Sequence, residues 1–307
     1  MYLKKYLRKT SLFLLGLSGV VLLNACGGEK NADDTTSKAD DTTSATTPVT
    51  DDTASATDDS PILRALPKTS EIPATIELSG ADFNQSLLNP SNKAGNYTTS
   101  NEKAALNLGA YATDIGYLSV YNKTQDVLTY LKASQKLADH LGLSNTFGET
   151  MQKRFQDNLS KEDSLIRIVD ETMLYVRRYL AENQRDATGA MVVTGSFVEG
   201  LYIATGLVEK YPKDIPADVR NSVLTRLIMD IIKQKESLKD LLTILKTVKQ
   251  DDQVTAYTQK LNDLYTQFDA LKFEENLKNN AGNFAVTDKS LLGITAKVKE
   301  IRSDIVK

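Results

Sequence analysis

The sequence predicts an all-α fold, an antiparallel multi-helix bundle of helical hairpins, which follows a disordered N-terminal tether. Three observations predict it. Apolar residues recur at helical spacing over most of residues 80–305, strand-like alternation is scarce, and residues 27–60 are too polar to build a core. The chain has 307 residues, of which 41% are hydrophobic and 25% charged, a composition that supplies enough apolar material for a sizeable core.

Residues 1–25 have the zones of a secretory signal peptide. Four basic residues come first, the apolar run SLFLLGLSGVVLL at 11–23 follows, and Ala25 stands directly before Cys26. An apolar run of this length is shorter than the roughly 20 residues that a membrane-spanning helix needs. The pattern therefore predicts export from the cytoplasm.

The segment Leu23-Asn24-Ala25-Cys26 resembles the lipobox of bacterial lipoproteins. The resemblance implies that Cys26 receives a diacylglyceryl group and fatty acids such as palmitate, and that the chain is cut before it. Two or more acyl chains make such an anchor durable. The expected location is the cell envelope, with the protein lipid-anchored in the outer membrane, in the periplasmic or the surface leaflet. The alternative is an uncleaved signal anchor in which the Cys26 thiol is unmodified.

Residues 26–60 are expected to form the lipidated cysteine and a disordered acidic tether. Residues 27–60 hold nine acids and two lysines, and Val49 is their one branched aliphatic residue. A flexible chain of this length has ends roughly 30–35 Å apart. Triplets at Thr35, Thr42 and Thr53 resemble the Asp-Ser/Thr-small sites that Bacteroidota O-glycosylate, although an Asp/Thr-rich linker also generates such triplets by chance.

Charge and residue counts exclude several classes of function. The first 25 residues carry four positive charges and the tether a net −7, so that residues 61–307 are neutral and nucleic acid is not an expected partner. One cysteine and one histidine leave no disulfide and no His-pair or Cys-rich metal site, and no cofactor is expected. His140 ends a predicted helix, where we expect a solvated or capping role. No catalytic or nucleotide-binding motif is present.

The helical elements follow from the apolar spacing and from start and stop signals. Residues 61–79, with prolines six apart, are predicted to be an extended lead-in to a main bundle at 80–249. Ser100 and Thr124 are predicted N-caps, and Gly142 follows the third helix. A C-terminal hairpin at 250–307 is predicted to dock on the bundle. The predicted helices are 80–89, 101–121, 123–141, 144–158, 162–184, 188–210, 215–233, 235–249, 252–273 and 288–305.

Two of these helices, around 106–118 and 194–207, are expected to be central because small residues at four- and seven-residue spacing let helix axes approach closely. Both contain glycines, and a glycine within a helix costs ~1 kcal/mol relative to alanine. The four glycines are therefore predicted to permit close helix packing. They are Gly109, Gly116, Gly200 and Gly206.

Polar residues within these two helices form the candidate site. Asn107, Tyr111, Asp114 and Tyr121 share one helix face, and Glu199 and Tyr202 lie on the other central helix. Arg177 and Arg178 are the expected cationic partners of the two acids, and Tyr117, Tyr175 and Tyr179 complete a ring of tyrosines.

Two interpretations of this site remain open. It is a pocket for a cation, an amine or a sugar-like ligand, or it is an internal ion pair that stabilises the fold. Paired carboxylates also serve glycosidases, but those enzymes need an open cleft, and aromatic platforms are scarce in a chain without tryptophan.

The segment NLGAYATDIGYLSVYNKTQ at 107–125, together with the lipobox and the acidic tether, resembles the all-helical lipoproteins of Bacteroidota. The resemblance covers most of residues 80–240 and implies a location without an activity. The expected function is a non-catalytic binding or scaffolding module, anchored to the membrane by lipid, with an envelope protein or glycan as partner. The alternative is a small-ligand receptor or enzyme that uses the buried carboxylates.

Overall fold

The computed structural model describes residues 71–144, 149–158, 161–212, 214, 216–272 and 288–307. The predicted signal peptide, the lipidation site Cys26, the tether with Thr35, Thr42 and Thr53, and residues 61–70 lie outside the described residues. Within the described part, the regular structure consists of nine α-helices and three short 3-10 helices, with no strand. The predicted all-α fold is confirmed.

The described helices are named in chain order. Residues 85–87 and 91–97 form the first two 3-10 helices, between α1 and α2, and Asp288–Leu291 forms the third, before α9. The α-helices are α1 Glu71–Ser79, α2 Asn101–Val120, α3 Thr124–His140, α4 Glu149–Asp157, α5 Glu162–Glu182, α6 Asp186–Lys210, α7 Ala217–Thr247, α8 Asp252–Ala270 and α9 Leu292–Ile305.

The start of the described chain differs from the prediction. Part of the expected extended lead-in forms α1, and the expected helix at 80–89 is instead a loop that contains one 3-10 turn. Pro73 is the third residue of α1, where its missing N–H removes no helical hydrogen bond. Gly80 follows the helix with a φ of 74°, a left-handed conformation that glycine adopts without strain.

The predicted helices 215–233 and 235–249 are one continuous helix, α7. The residue between them, Gln234, is buried and occupies a position in the apolar stripe that runs through Ile231 and Leu238.

The two predicted central helices, α2 and α6, make the most extensive helix contact in the described structure. A Cβ atom added to Gly109 would lie 1.9 Å from the carbonyl oxygen of Val192, and one added to Gly195 would lie 1.8 Å from that of Leu106. The two backbones therefore touch at this crossing, which no residue with a side chain permits. Gly195 was not among the glycines singled out for close packing.

The remaining helices cover this central pair. Helix α3 packs on α2, α5 packs on both central helices, α7 packs on α6, and α8 packs on α7. Helix α9 contacts α8, α6 and α2, so that the end of the chain reaches the centre of the bundle. Helix α6 is long and apolar enough to cross a membrane by composition, but 89% of its apolar window is buried, as in a core helix.

The helix ends follow the predicted signals in part. The Ser100 side chain accepts a hydrogen bond from the Lys103 N–H at 3.2 Å and caps α2, as predicted. Thr124 is the first residue of α3 rather than its N-cap, which is Lys123. His140 ends α3 and is exposed.

Candidate functional site

A buried polar cluster lies where α2, α6 and α9 meet. We define it by Asp114 of α2, Glu199 of α6, Arg302 of α9, and the two asparagines Asn89 and Asn107. Asp114, Glu199, Asn89 and Asn107 have no solvent-exposed surface. Since ionised groups are costly to bury unless they are paired, each charge in this cluster requires a partner.

Glu199 and Arg302 form a bidentate ion pair. The Arg302 Nε donates to Glu199 Oε2 at 3.1 Å, and Nη2 donates to Oε1 at 3.0 Å. The Arg302 side chain is 12% exposed and its guanidinium lies 4.4 Å from the ring centroid of Tyr202. The planar guanidinium thus makes a bidentate hydrogen bond to a carboxylate and lies over an aromatic ring, two favourable interactions of an arginine side chain.

Asp114 is the second carboxyl group of the cluster. Its Oδ2 accepts a hydrogen bond from the Asn89 backbone N–H at 3.2 Å, and its buried Oδ1 has no hydrogen-bond partner. Burial and the neighbouring charge of Glu199 raise the pKa of Asp114 well above its usual range, and the opposing effect of Arg302 is smaller. Burial also raises the pKa of Glu199, against the attraction of Arg302.

The asparagines and Tyr97 join the cluster to the end of α9. Asn89 donates to Asn107 Oδ1 at 2.9 Å, and the Tyr97 hydroxyl donates to Asn89 Oδ1 at 2.8 Å. Asn107 in turn donates to the carbonyl oxygen of Ile305 at 2.8 Å, and the Tyr97 hydroxyl also lies 3.3 Å from the carbonyl oxygen of Val306. The last carbonyls of a helix have no partner within it, and here side chains of the 89–107 segment supply donors.

Tyrosines surround the cluster on the side of α2 and α3. The hydroxyl of Tyr111 donates to the carbonyl of Pro90 at 3.0 Å, and its ring meets that of Tyr130 edge-on, with centroids 5.6 Å apart. Burial raises the pKa of Tyr97 and of Tyr117 to about 12, and it raises those of Tyr111 and Tyr130 further. All four are therefore neutral at physiological pH and contribute no charge.

The structure brings together part of the predicted site. Asn107, Asp114, Glu199 and Tyr202 belong to or contact the cluster, and Tyr111 adjoins it. Tyr121 does not: its hydroxyl donates to the carbonyl of Ala81 and its ring packs near Phe83 and Tyr117. Tyr175 of α5 does not line the cluster either, since it is 50% exposed.

The expected cationic partners were wrong. Arg302, and neither Arg177 nor Arg178, forms the ion pair with Glu199. Arg177 and Arg178 belong to α5, whereas the guanidinium that enters the cluster comes from the last helix, 103 residues beyond Glu199. Sequence reasoning also missed Asn89 and Tyr97. One signal for Arg302 was available, because it lies four residues after Val298 and one after Ile301, within the apolar stripe of α9.

The two carboxyl groups of the cluster have no exposed surface, which limits its chemistry. Two surface pockets in the described structure lie elsewhere, one between α1, α6 and α7 and the other between α3 and α4, and neither includes a residue of the cluster. Acid–base catalysis by two carboxylates requires that a substrate reach both of them. Within the described ranges, no group of three histidine, cysteine or acidic residues is placed to hold a metal ion.

No protein-family profile, no curated protein and no solved structure matches the chain. The interpretation of the cluster therefore depends on its geometry alone. That geometry joins three helices from distant parts of the sequence through charges and hydrogen bonds, which favours a role in holding the fold together.

Proposed function

We propose that this chain is a lipid-anchored protein of the cell envelope, whose helical domain is a non-catalytic binding or scaffolding module. The observation that carries the proposal is the position of Cys26, directly after a basic segment, an apolar run of 13 residues and a small residue. The acidic segment that follows would hold the helical domain clear of the bilayer, since it contains nine acids, no aromatic residue and one branched aliphatic residue.

The closed polar cluster supports a binding role over the small-ligand or catalytic alternative. That alternative requires Asp114 and Glu199 to be accessible, whereas both have no exposed surface and Glu199 is paired with Arg302. A partner would therefore meet the outer faces of the helices. An envelope protein or a glycan is the partner class that this location makes available, and the neutral charge of residues 61–307 speaks against nucleic acid.

Metabolic labelling with a palmitate analogue tests the anchor. The full-length chain should incorporate the label and partition with the membrane fraction, and a Cys26→Ala variant should lose both properties. Since the chain contains one cysteine, label on the variant would have to come from another position and would contradict the proposal.

Affinity capture from detergent-solubilised envelopes tests the binding role. Each variant is expressed in cells, and it is captured after their envelopes are solubilised. The wild-type chain should repeatedly enrich the same envelope protein or glycan, and the Cys26→Ala variant should enrich it less. Repeated recovery of no specific partner would count against a binding module. A matched Asp114→Asn variant serves as control, because a surface-binding function should survive a substitution in the sealed cluster.

A further inference from the structure

The cluster contains two buried carboxyl groups and one guanidinium. Both oxygens of Glu199 are engaged by Arg302, so the charge of Arg302 is already balanced. An ionised Asp114 would add a net negative charge at a fully buried position, where its Oδ1 has no protein hydrogen-bond donor. Ionised carboxylates in such surroundings are far more costly than neutral carboxylic acids. The arrangement is therefore balanced when Asp114 carries a proton.

The charged and titratable groups around Asp114 belong to several of the elements that pack against α2. Glu199 on α6 opposes ionisation of Asp114, and Arg302 on α9 favours it less strongly. Helix α5 also packs on α2 and carries Arg177 and Arg178. The tyrosines whose hydroxyl ionisation is opposed by the charge of Asp114 are Tyr97, Tyr111, Tyr117 and Tyr130.

Asp114 is connected to two sets of contacts that hold α9: the hydrogen bonds to its last carbonyls and the ion pair of Arg302. Its Oδ2 holds the N–H of Asn89, and Asn89 contacts the Asn107 amide and the Tyr97 hydroxyl that reach the last carbonyls of α9. Its charge also acts directly on Arg302, the buried cation of that helix. The ionisation of a single carboxyl group thus bears on the end of α9 and on its central ion pair.

We propose that Asp114 is a proton-binding site coupled to the docking of the C-terminal helix, so that α9 docks with one proton held on Asp114 and releases that proton to solvent when it undocks. Undocking lets water reach the Asp114 carboxylate and screens it from Glu199. Because the docked form binds the proton more tightly than the undocked form, docking is strongest at low pH. It weakens as the pH rises above the ordinary carboxyl range toward the raised pKa of the docked state.

Hydrogen exchange of the full-length chain measures this coupling. The protection of the α9 amides, corrected for the intrinsic pH dependence of exchange, should fall in the wild type as the pH rises above the ordinary aspartate pKa of ~3.9, by at most about tenfold per pH unit for one proton. Asp114→Asn keeps an oxygen for the Asn89 N–H and cannot ionise, so its α9 protection should be independent of pH. Constant protection in the wild type, or an unchanged slope in the variant, would overturn the proposal.

Two controls separate α9 docking from general effects of pH. Asp304→Asn removes a partly buried acid from the same helix, outside the cluster, where Asp304 pairs with Lys260 of α8 and with Lys307, and it should retain the fall in protection. The amides of α5 should show a smaller fall than those of α9. An equal fall in both helices would mean that the proton is linked to unfolding of the whole bundle, which contradicts the proposal.

Infrared spectroscopy detects the proton without any variant. At a pH about one to two units above the ordinary aspartate pKa of ~3.9, the wild-type chain should still show the carbonyl stretch of a neutral carboxylic acid, and this band should shift when aspartate is labelled with ¹³C at its carboxyl carbon. A missing band, or one that labelled aspartate does not shift, would overturn the proposal even if Asp114→Asn failed to fold. Neither measurement depends on the state of Cys26, so the outcome is independent of the proposed anchor.

Discussion

The guanidinium of Arg302 holds both carboxylate oxygens of Glu199, at 3.0 and 3.1 Å, in the centre of the bundle. The two residues are 103 positions apart in sequence, and the pair joins the last helix to a central one. A buried ion pair of this kind adds little net stability compared with an apolar pair, but it strongly penalises any state in which only one partner is present. Helix α9 is therefore a part of the core, with its register fixed by the position of Arg302.

Removing one member of this pair should be more damaging than removing both. We expect Arg302→Met to lower the free energy of unfolding by about 3–5 kcal/mol, because it leaves the Glu199 carboxylate buried without a cation. The double variant Arg302→Met with Glu199→Leu should recover most of that loss. Urea unfolding followed by circular dichroism measures both. Lys299→Met in α9, which breaks an exposed pair with Glu209 of α6, should cost no more than about 1 kcal/mol. A single variant as stable as the wild type would contradict the buried pair.

The crossing of α2 and α6 depends on Gly109. An alanine there would place its Cβ 1.9 Å from the carbonyl oxygen of Val192, and the opposing backbone has no free end that could move aside. We expect Gly109→Ala to cost roughly 3 kcal/mol or more, at or above the upper end of overpacking effects. Gly189→Ala in α6 is the matched control, since its nearest neighbour would be 3.9 Å away and alanine favours a helix by up to ~1 kcal/mol. Thermal unfolding of the two variants should shift in opposite directions.

The hydroxyl of Tyr97 contributes to holding the end of α9. Tyr97→Phe keeps the ring but removes the donor to Asn89 Oδ1 and to the Val306 carbonyl, leaving buried acceptors with fewer partners. We expect a loss of about 1–2 kcal/mol in unfolding free energy, together with faster hydrogen exchange in the last turn of α9. Tyr175→Phe, at a side chain that is 50% exposed, should change neither quantity. Equal effects of the two substitutions would be evidence against the capping role.

The buried tyrosines predict an alkaline limit to stability. Burial raises the pKa of Tyr97 and Tyr117 to about 12 from the ordinary value of 10.0. An acid with a raised pKa in the folded state stabilises the fold fully below pH 10, and this contribution is lost as the pH rises through 10 toward 12. Tyrosinate absorbance at pH 11 should therefore be lower in the folded chain than in the urea-unfolded chain, where about nine-tenths of the tyrosines ionise at the ordinary pKa of 10.0. Equal ionisation of the folded and the unfolded chain at pH 11 would contradict the burial.

Much of the fold could be predicted from the sequence, because its signals are local. The apolar spacing identified α2, α3, α5, α6, α8 and α9, and small residues at four- and seven-residue spacing identified α2 and α6 as central. The errors occurred where local signals conflict. Pro73 suggested an extended segment although it fits the first turn of a helix, and the break predicted at residue 234 falls inside the continuous helix α7, where Gln234 is buried.

The candidate site could be predicted only in part, for a different reason. The burial of Asp114 and Glu199 follows from their apolar neighbours on the same helices. The identity of their cation does not, because Arg302 reaches them through tertiary packing of the last helix. Asn89 and Tyr97 lie in loops and 3-10 turns, where hydrophobic periodicity carries no information.

The proposal of a lipid-anchored envelope protein is tested most directly by the mass of the N-terminal peptide of the mature chain, isolated from membranes and measured after proteolysis. The account predicts that this peptide begins at Cys26 and carries a diacylglyceryl group on its sulfur, so that no peptide from residues 1–25 is recovered. A mature chain that begins at Met1 and carries an unmodified Cys26 thiol would contradict it.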